Sequence, residues 1–133
     1  MFEKCIEYGL HDTFINDIIV GENGLIFLFQ EGVYILDDMG RETTLSKPCK
    51  MNICIEDFDS NRLFEHCSFY KCRKKHFSEV DLSDIKKLLL TNRFDIDLDF
   101  YSPFARAISI RDYIGQYMVE IRISEIQSIK LEM

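Results

Sequence analysis

Through most of this chain apolar and polar residues alternate in short runs, the period of strands that bury one face and wet the other. The stretch "INDIIVGENGLIFLFQEGVYILDD" opens the pattern. Asn23-Gly24 between two apolar runs predicts a hairpin, because both residue types tolerate positive φ. Gln30-Glu31-Gly32 and Asp37-Asp38-Met39-Gly40 mark two further turns, so antiparallel strands are expected near 15–20, 24–30 and 32–37. The first dozen residues predict either an irregular arm or a single helical turn.

After the polar connector "RETTLSKP", a strand is expected over 49–56, with Met51, Ile53 and Ile55 on one face. Residues 57–61 read as a turn, and a second strand is expected over 62–73. The helical signal is "DLSDIKKLLLTN". Leu82, Ile85, Leu88 and Leu89 form a stripe over 82–91, Asp81 serves as cap, Lys86 and Lys87 face outward and Asn92 ends the helix. Strand patterns return in "FDIDLDFY", "ARAISI", "QYMVEIRI" and "IQSIKLEM". The expected fold is therefore mainly β with one packed helix (α+β), as an antiparallel curved sheet or a two-layer β structure. No repeat or linker divides residues 1–133, which read as a single domain.

Composition adds a direction to the charge. The formal net charge is −7, but residues 1–66 hold 13 acidic and 5 basic side chains while residues 67–133 hold 10 and 11. An acidic surface repels nucleic acid and anionic lipid and attracts basic partners. No apolar run reaches membrane-spanning length, and "MFEKCIEYGLHD" carries acids where a signal peptide is apolar. Five cysteines without an export signal favour reduced thiols, so a cytoplasmic location is expected.

The candidate chemistry centres on "DIDLDFY". Asp95, Asp97 and Asp99 alternate with apolar residues and are expected on one strand face. Alternate residues stand about 6.6–7 Å apart, too far to share one small cation at oxygen distances near 2–2.5 Å. The row therefore reads as a solvated face first and a docking row for a basic protein second. Cys49/Cys54 and Cys67/Cys72 repeat a five-residue spacing. Along strands that spacing separates the thiols and disfavours one tetrahedral zinc site. No metal and no cofactor are expected. His11-Asp12 is the one candidate for an oriented base, but no nucleophile accompanies it, and no catalytic residue is assigned. "KCRKKH", residues 71–76, is a dense basic run near Phe69, Tyr70 and Phe77, a thin version of a single-strand nucleic-acid pattern that the net charge opposes. Phosphate-loop, dinucleotide, zinc-protease and nucleophile-elbow motifs are absent from the sequence.

The run "YGLHDTFINDIIVGENGLIFLFQEGVYILD" followed by "CKMNICIED" resembles small bacterial proteins, among them immunity proteins of toxin–immunity systems. The resemblance lies in β patterning around Gly9-Leu10-His11-Asp12 and implies a binding protein without assigning any site residue. The leading expectation is a noncatalytic acidic protein-binding domain, an immunity or inhibitor protein that neutralises a basic partner through Asp95, Asp97 and Asp99. The alternative is a small enzyme or ligand-binding domain whose pocket uses His11 and strand carboxylates. The sequence leaves open whether the chain catalyses anything.

Overall fold

Three strands of the alternating C-terminal third join two from the middle of the chain in the larger of two main sheets. The computed structural model describes residues 8–9, 13–39, 41–96, 98–102 and 104–132, with 8–9 and 98–101 as backbone only. In chain order the strands are β1 (Tyr8–Gly9), β2 (Thr13–Ile15), β3 (Asp17–Val20), β4 (Gly24–Phe29), β5 (Tyr34–Leu36), β6 (Glu42–Leu45), β7 (Cys49–Ile55), β8 (Cys67–Arg73), β9 (His76–Val80), β10 (Phe94–Ile96), β11 (Leu98–Ser102), β12 (Ala107–Ile114), β13 (Tyr117–Ile123) and β14 (Ile126–Glu132). A 3-10 helix spans Ser60–Glu65 and helix α1 spans Leu82–Leu89.

The larger sheet has the order β11-β12-β13-β8-β9, and a second has the order β14-β7-β4-β3. A short sheet β1-β5-β6 and the pair β10-β2 complete the set, with every pairing antiparallel. Inward residues of both main sheets meet in one core. Leu25, Phe27, Met51 and Ile53 come from the smaller sheet, and Phe69, Ile110, Val119 and Ile121 from the larger. The protein is thus mainly β, with antiparallel sheets and one main helix among the described residues. No helix among them is long and apolar enough to cross a membrane.

The helix forms where its stripe predicts. Leu82 and Ile85 are buried, and Leu88 and Leu89 pack half-buried against the core. Its start is closed through Asp84, whose carboxylate accepts the Asp81 N–H at 3.1 Å, and an acid in the first turn also suits the helix dipole. Asn92 N–H donates back to the Leu88 carbonyl, as an end residue should. The helix itself stops at Leu89, two residues before the expected end.

Several elements differ from their expected form. The β3–β4 hairpin exists, but Asn23 does not take positive φ. Val20 pairs with Leu25, and Gly21 N–H closes the loop on Gly24 O at 2.8 Å. Gly24 does take positive φ, at 155°, and a Cβ there would also stand 1.8 Å from the Ile53 carbonyl oxygen of β7. The supposed connector contains β6, whose four residues are all exposed and so carry no hydrophobic signal. The strand expected over 62–73 begins only at Cys67, because Asp59 accepts the Asn61 N–H and starts the 3-10 helix. The unforeseen β9 pairs with β8 through a two-residue turn.

Candidate interaction face

Alternation gives the larger sheet two different faces. Cys67 and Phe69 of β8, Val119, Ile121 and Ile123 of β13, and Ile108 and Ile110 of β12 point into the core. The intervening residues form the outer face, and the register arranges them in three rows across the strands. Ser109, Arg122 and Ser68 form the first. Arg111, Glu120, Tyr70 and Glu79 form the second, and Tyr113, Met118, Cys72 and Phe77 the third.

The third row is apolar across four adjacent strands, although it lies on the solvent side. Phe77 is 60% exposed and Tyr113 52%, with Met118 and Cys72 half-buried between them. The outer face of an antiparallel sheet is ordinarily polar. Tyr70 bridges the second and third rows by stacking on Phe77, with ring centroids 5.0 Å apart and planes 16° apart.

The polar rows are tied together. Arg122 Nη2 lies 2.7 Å from Glu120 Oε2, and the guanidinium stands 4.9 Å from the centre of the Tyr70 ring. Ser109 Oγ donates to Glu120 Oε1 at 3.4 Å. Above the first row lies a concavity of about 520 Å³, bounded by Phe64 of the 3-10 helix, Ala105 of the turn before β12, Ala107 at the start of β12, and Tyr70 and Arg122 of the sheet. That volume lies within the usual range of ligand pockets, about 300–1,000 Å³. Phe64 on its rim is 71% exposed.

His66 also borders the concavity. Its side chain is buried, and Nδ1 has no hydrogen-bond partner among the described residues, with Glu125 Oε1 at 3.7 Å. At the opposite end of the face, Lys74 and Lys75 form the β8–β9 turn with φ of 51° and 71°. There Tyr113, Met118, Cys72 and the two lysines border a smaller depression.

Asp95 and Asp99 lie on different elements. Asp95 is an exposed residue of β10 opposite Phe14 of β2. Its carboxylate is 3.6 Å from Arg93 Nε, and the Arg93 guanidinium stands over Phe14 at 3.6 Å from the ring centre and reaches Glu31 at 3.4 Å. Asp99 belongs to β11 and pairs with Ile110 of β12. Asp97, His11 and Asp12 lie outside the described residues, as does Cys5. The single strand read through 95–101 is therefore two strands in two sheets. Of the basic run's aromatic neighbours, Tyr70 and Phe77 reach the outer face while Phe69 is buried in the core.

Cys49, Cys54, Cys67 and Cys72 are free thiols. Burial pushes the Cys67 thiol up to about 12 and raises Cys49 as well, so both stay protonated. No three His, Cys, Asp or Glu side chains among the described residues converge as metal ligands. Part of the apolar row had a signal in the sequence: Tyr113 and Met118 occupy the outward phase of strands whose inward phase is largely apolar. No known protein family, curated protein or solved structure matches the chain.

Proposed function

We propose that this chain is a noncatalytic binding domain that docks another protein on the outer face of its five-stranded sheet. The observation that carries the reading is the apolar row Tyr113–Met118–Cys72–Phe77, open to solvent across four strands. Exposed aromatic rows of this kind supply interface area, and the neighbouring Arg111, Arg122 and Tyr70 are residue types enriched in interface hot spots. The free thiols suit a reducing compartment such as the cytoplasm. The test is capture of partners from cells that express the protein, comparing wild type with a Phe77→Ser/Tyr113→Ser variant. Both side chains are more than half exposed, so the variant should keep its fold by circular dichroism and lose its partner at least tenfold. Equal capture by both proteins would remove this face from the proposal.

The net charge of −7 favours a second reading, an immunity or inhibitor protein that steers a basic partner by Asp95, Asp97 and Asp99. Asp95→Asn/Asp97→Asn/Asp99→Asn should then slow association, most strongly at low salt. Unchanged association across salt would rule the aspartates out.

A further inference from the structure

Each main sheet ends in strands that must be protected from further pairing. On the smaller sheet, β3 is an edge strand, and Lys86 of α1 reaches over to bond its Ile18 carbonyl. At the end of the larger sheet, β9 shows no such guard among the described residues. His76, Phe77, Ser78 and Glu79 are exposed, and β9 pairs with β8 through five consecutive positions without a bulge. It contains no proline and only one acid. Bulges, prolines, inward charges and covering elements are the usual ways to blunt an edge. An antiparallel strand uses only alternate residues to bond its neighbour, so every second residue of β9 turns its backbone N–H and C=O toward the open side.

The end of this edge is strongly basic. Lys71, Arg73, Lys74 and Lys75 lie within five positions, and none has an ion-pair carboxylate among the described residues. Lys71 and Arg73 are held instead over the Tyr117 ring, at 4.7 and 5.5 Å from its centre. Lys74 and Lys75 occupy a two-residue turn with both φ positive, a conformation that Asn-Gly adopts with less strain. Two lysines there place two charges at the tip at the expense of turn preference.

We propose that β9 is an acceptor edge for an extended acidic segment of a partner protein, which adds as a further strand while its carboxylates meet the Lys74–Lys75 tip. This rests on the protein-binding reading above and names the chemistry of the partner. Strand addition draws affinity from backbone bonds and specificity from alternate side chains, and exposed Phe77 offers an apolar contact to one of them. A nucleic acid would meet the tip but has no peptide backbone to pair with a strand edge. A second copy brings the same cationic tip and the same net charge.

The test uses the full chain with a fluorescein-labelled decapeptide alternating Glu and Val, read by anisotropy at low and high salt. Three control probes accompany it: the same peptide N-methylated at alternate residues, a Lys/Val counterpart and a ten-nucleotide oligo-dT. The protein variant is Lys74→Asn/Lys75→Gly, which suits the turn and so keeps the hairpin while removing two charges. The expected result is saturable binding of the Glu/Val peptide, at least tenfold weaker after N-methylation, at least fivefold weaker with the variant, and weaker at high salt. No Glu/Val binding up to 1 mM overturns the proposal. So does equal binding of the N-methylated peptide, tighter binding of oligo-dT, or light scattering that shows a dimer abolished by the turn variant. If the peptide fails while partner capture still depends on Phe77 and Tyr113, the acceptor edge falls and the outer-face reading stands.

Discussion

Lys86 Nζ donates to the backbone carbonyl of Ile18 at 2.9 Å, with Asp17 Oδ1 at 3.3 Å from the same ammonium. One side chain of α1 thus satisfies an acceptor on the edge strand β3 and neutralises an acid beside it. The residue is half-buried although its helical phase points outward. Replacing Lys86 by Met keeps most of the stem and removes the donor. The expected loss is about 1 kcal/mol in urea unfolding, a charge-assisted bond discounted for its partial exposure. Amide exchange in β3 should quicken. An unchanged unfolding midpoint with unchanged β3 protection would mean that the contact contributes nothing.

The helix is fastened through unequal positions. Ile85 is fully buried, whereas Leu88 is only half-buried against the core. Ile85→Ala should destabilise by about 2–5 kcal/mol, the range for an enclosed aliphatic side chain. Leu88→Ala removes less buried area and should fall nearer about 1–2 kcal/mol. Denaturant titration of both variants gives the order directly. A larger loss at Leu88 than at Ile85 would contradict the packing.

Elements whose apolar period coincides with burial were legible in the sequence. β7, β13 and α1 are such cases: Met51, Ile53 and Ile55, then Val119, Ile121 and Ile123, then Leu82 and Ile85 are all buried. β6 and β9 were not legible, because their residues are exposed throughout or nearly so and carry no alternating apolar period. The turn between β8 and β9 was hidden for a related reason, since Lys-Lys is not a turn signal. The outer face was half legible. Its basic run and Tyr70 stood out locally, but the row that joins Tyr113 to Phe77 depends on the register of β12, β13, β8 and β9, which no local window contains. The aspartates show the opposite case: a clean local alternation that the topology divides between two sheets.

Gly24 is fixed both by its own positive φ of 155° and by its neighbour across the sheet. A Cβ at this position would stand 1.8 Å from Ile53 O, which belongs to the adjacent strand β7 and cannot rotate away. Gly24→Ala must therefore separate β4 from β7 at their closest point. The expected loss is about 3–5 kcal/mol, among the largest effects of a single methyl group. Gly21→Ala in the same loop meets only the flexible end of Ile26, at 3.3 Å, and should change stability far less. Thermal unfolding of the two variants side by side is the measurement. Similar melting temperatures for both would place the strain elsewhere.

Cys67 sits in β8 opposite Ile123, and burial there raises its thiol from an ordinary value of 9.0 to about 12. The folded thiol stays protonated where the unfolded one has begun to ionise. Above pH 9 the unfolded state therefore binds fewer protons than the folded state, and stability falls as pH rises. The contribution is fully present below pH 9 and is lost between pH 9 and 12, at up to about 1.4 kcal/mol per pH unit. Cys49, raised in the same direction by burial, adds to the decline. Lysines and tyrosines titrate in the same window, so the informative quantity is the difference between wild type and Cys67→Ala. Urea midpoints at pH 7.5, 9 and 10 should fall more steeply for wild type than for the variant. Thiol labelling at pH 8 gives an independent reading. Half-buried Cys54 and Cys72 should react in the native protein, and Cys67 only once denaturant is added. Parallel pH profiles for the two proteins, together with native labelling of Cys67, would show that the β8 thiol is open to water.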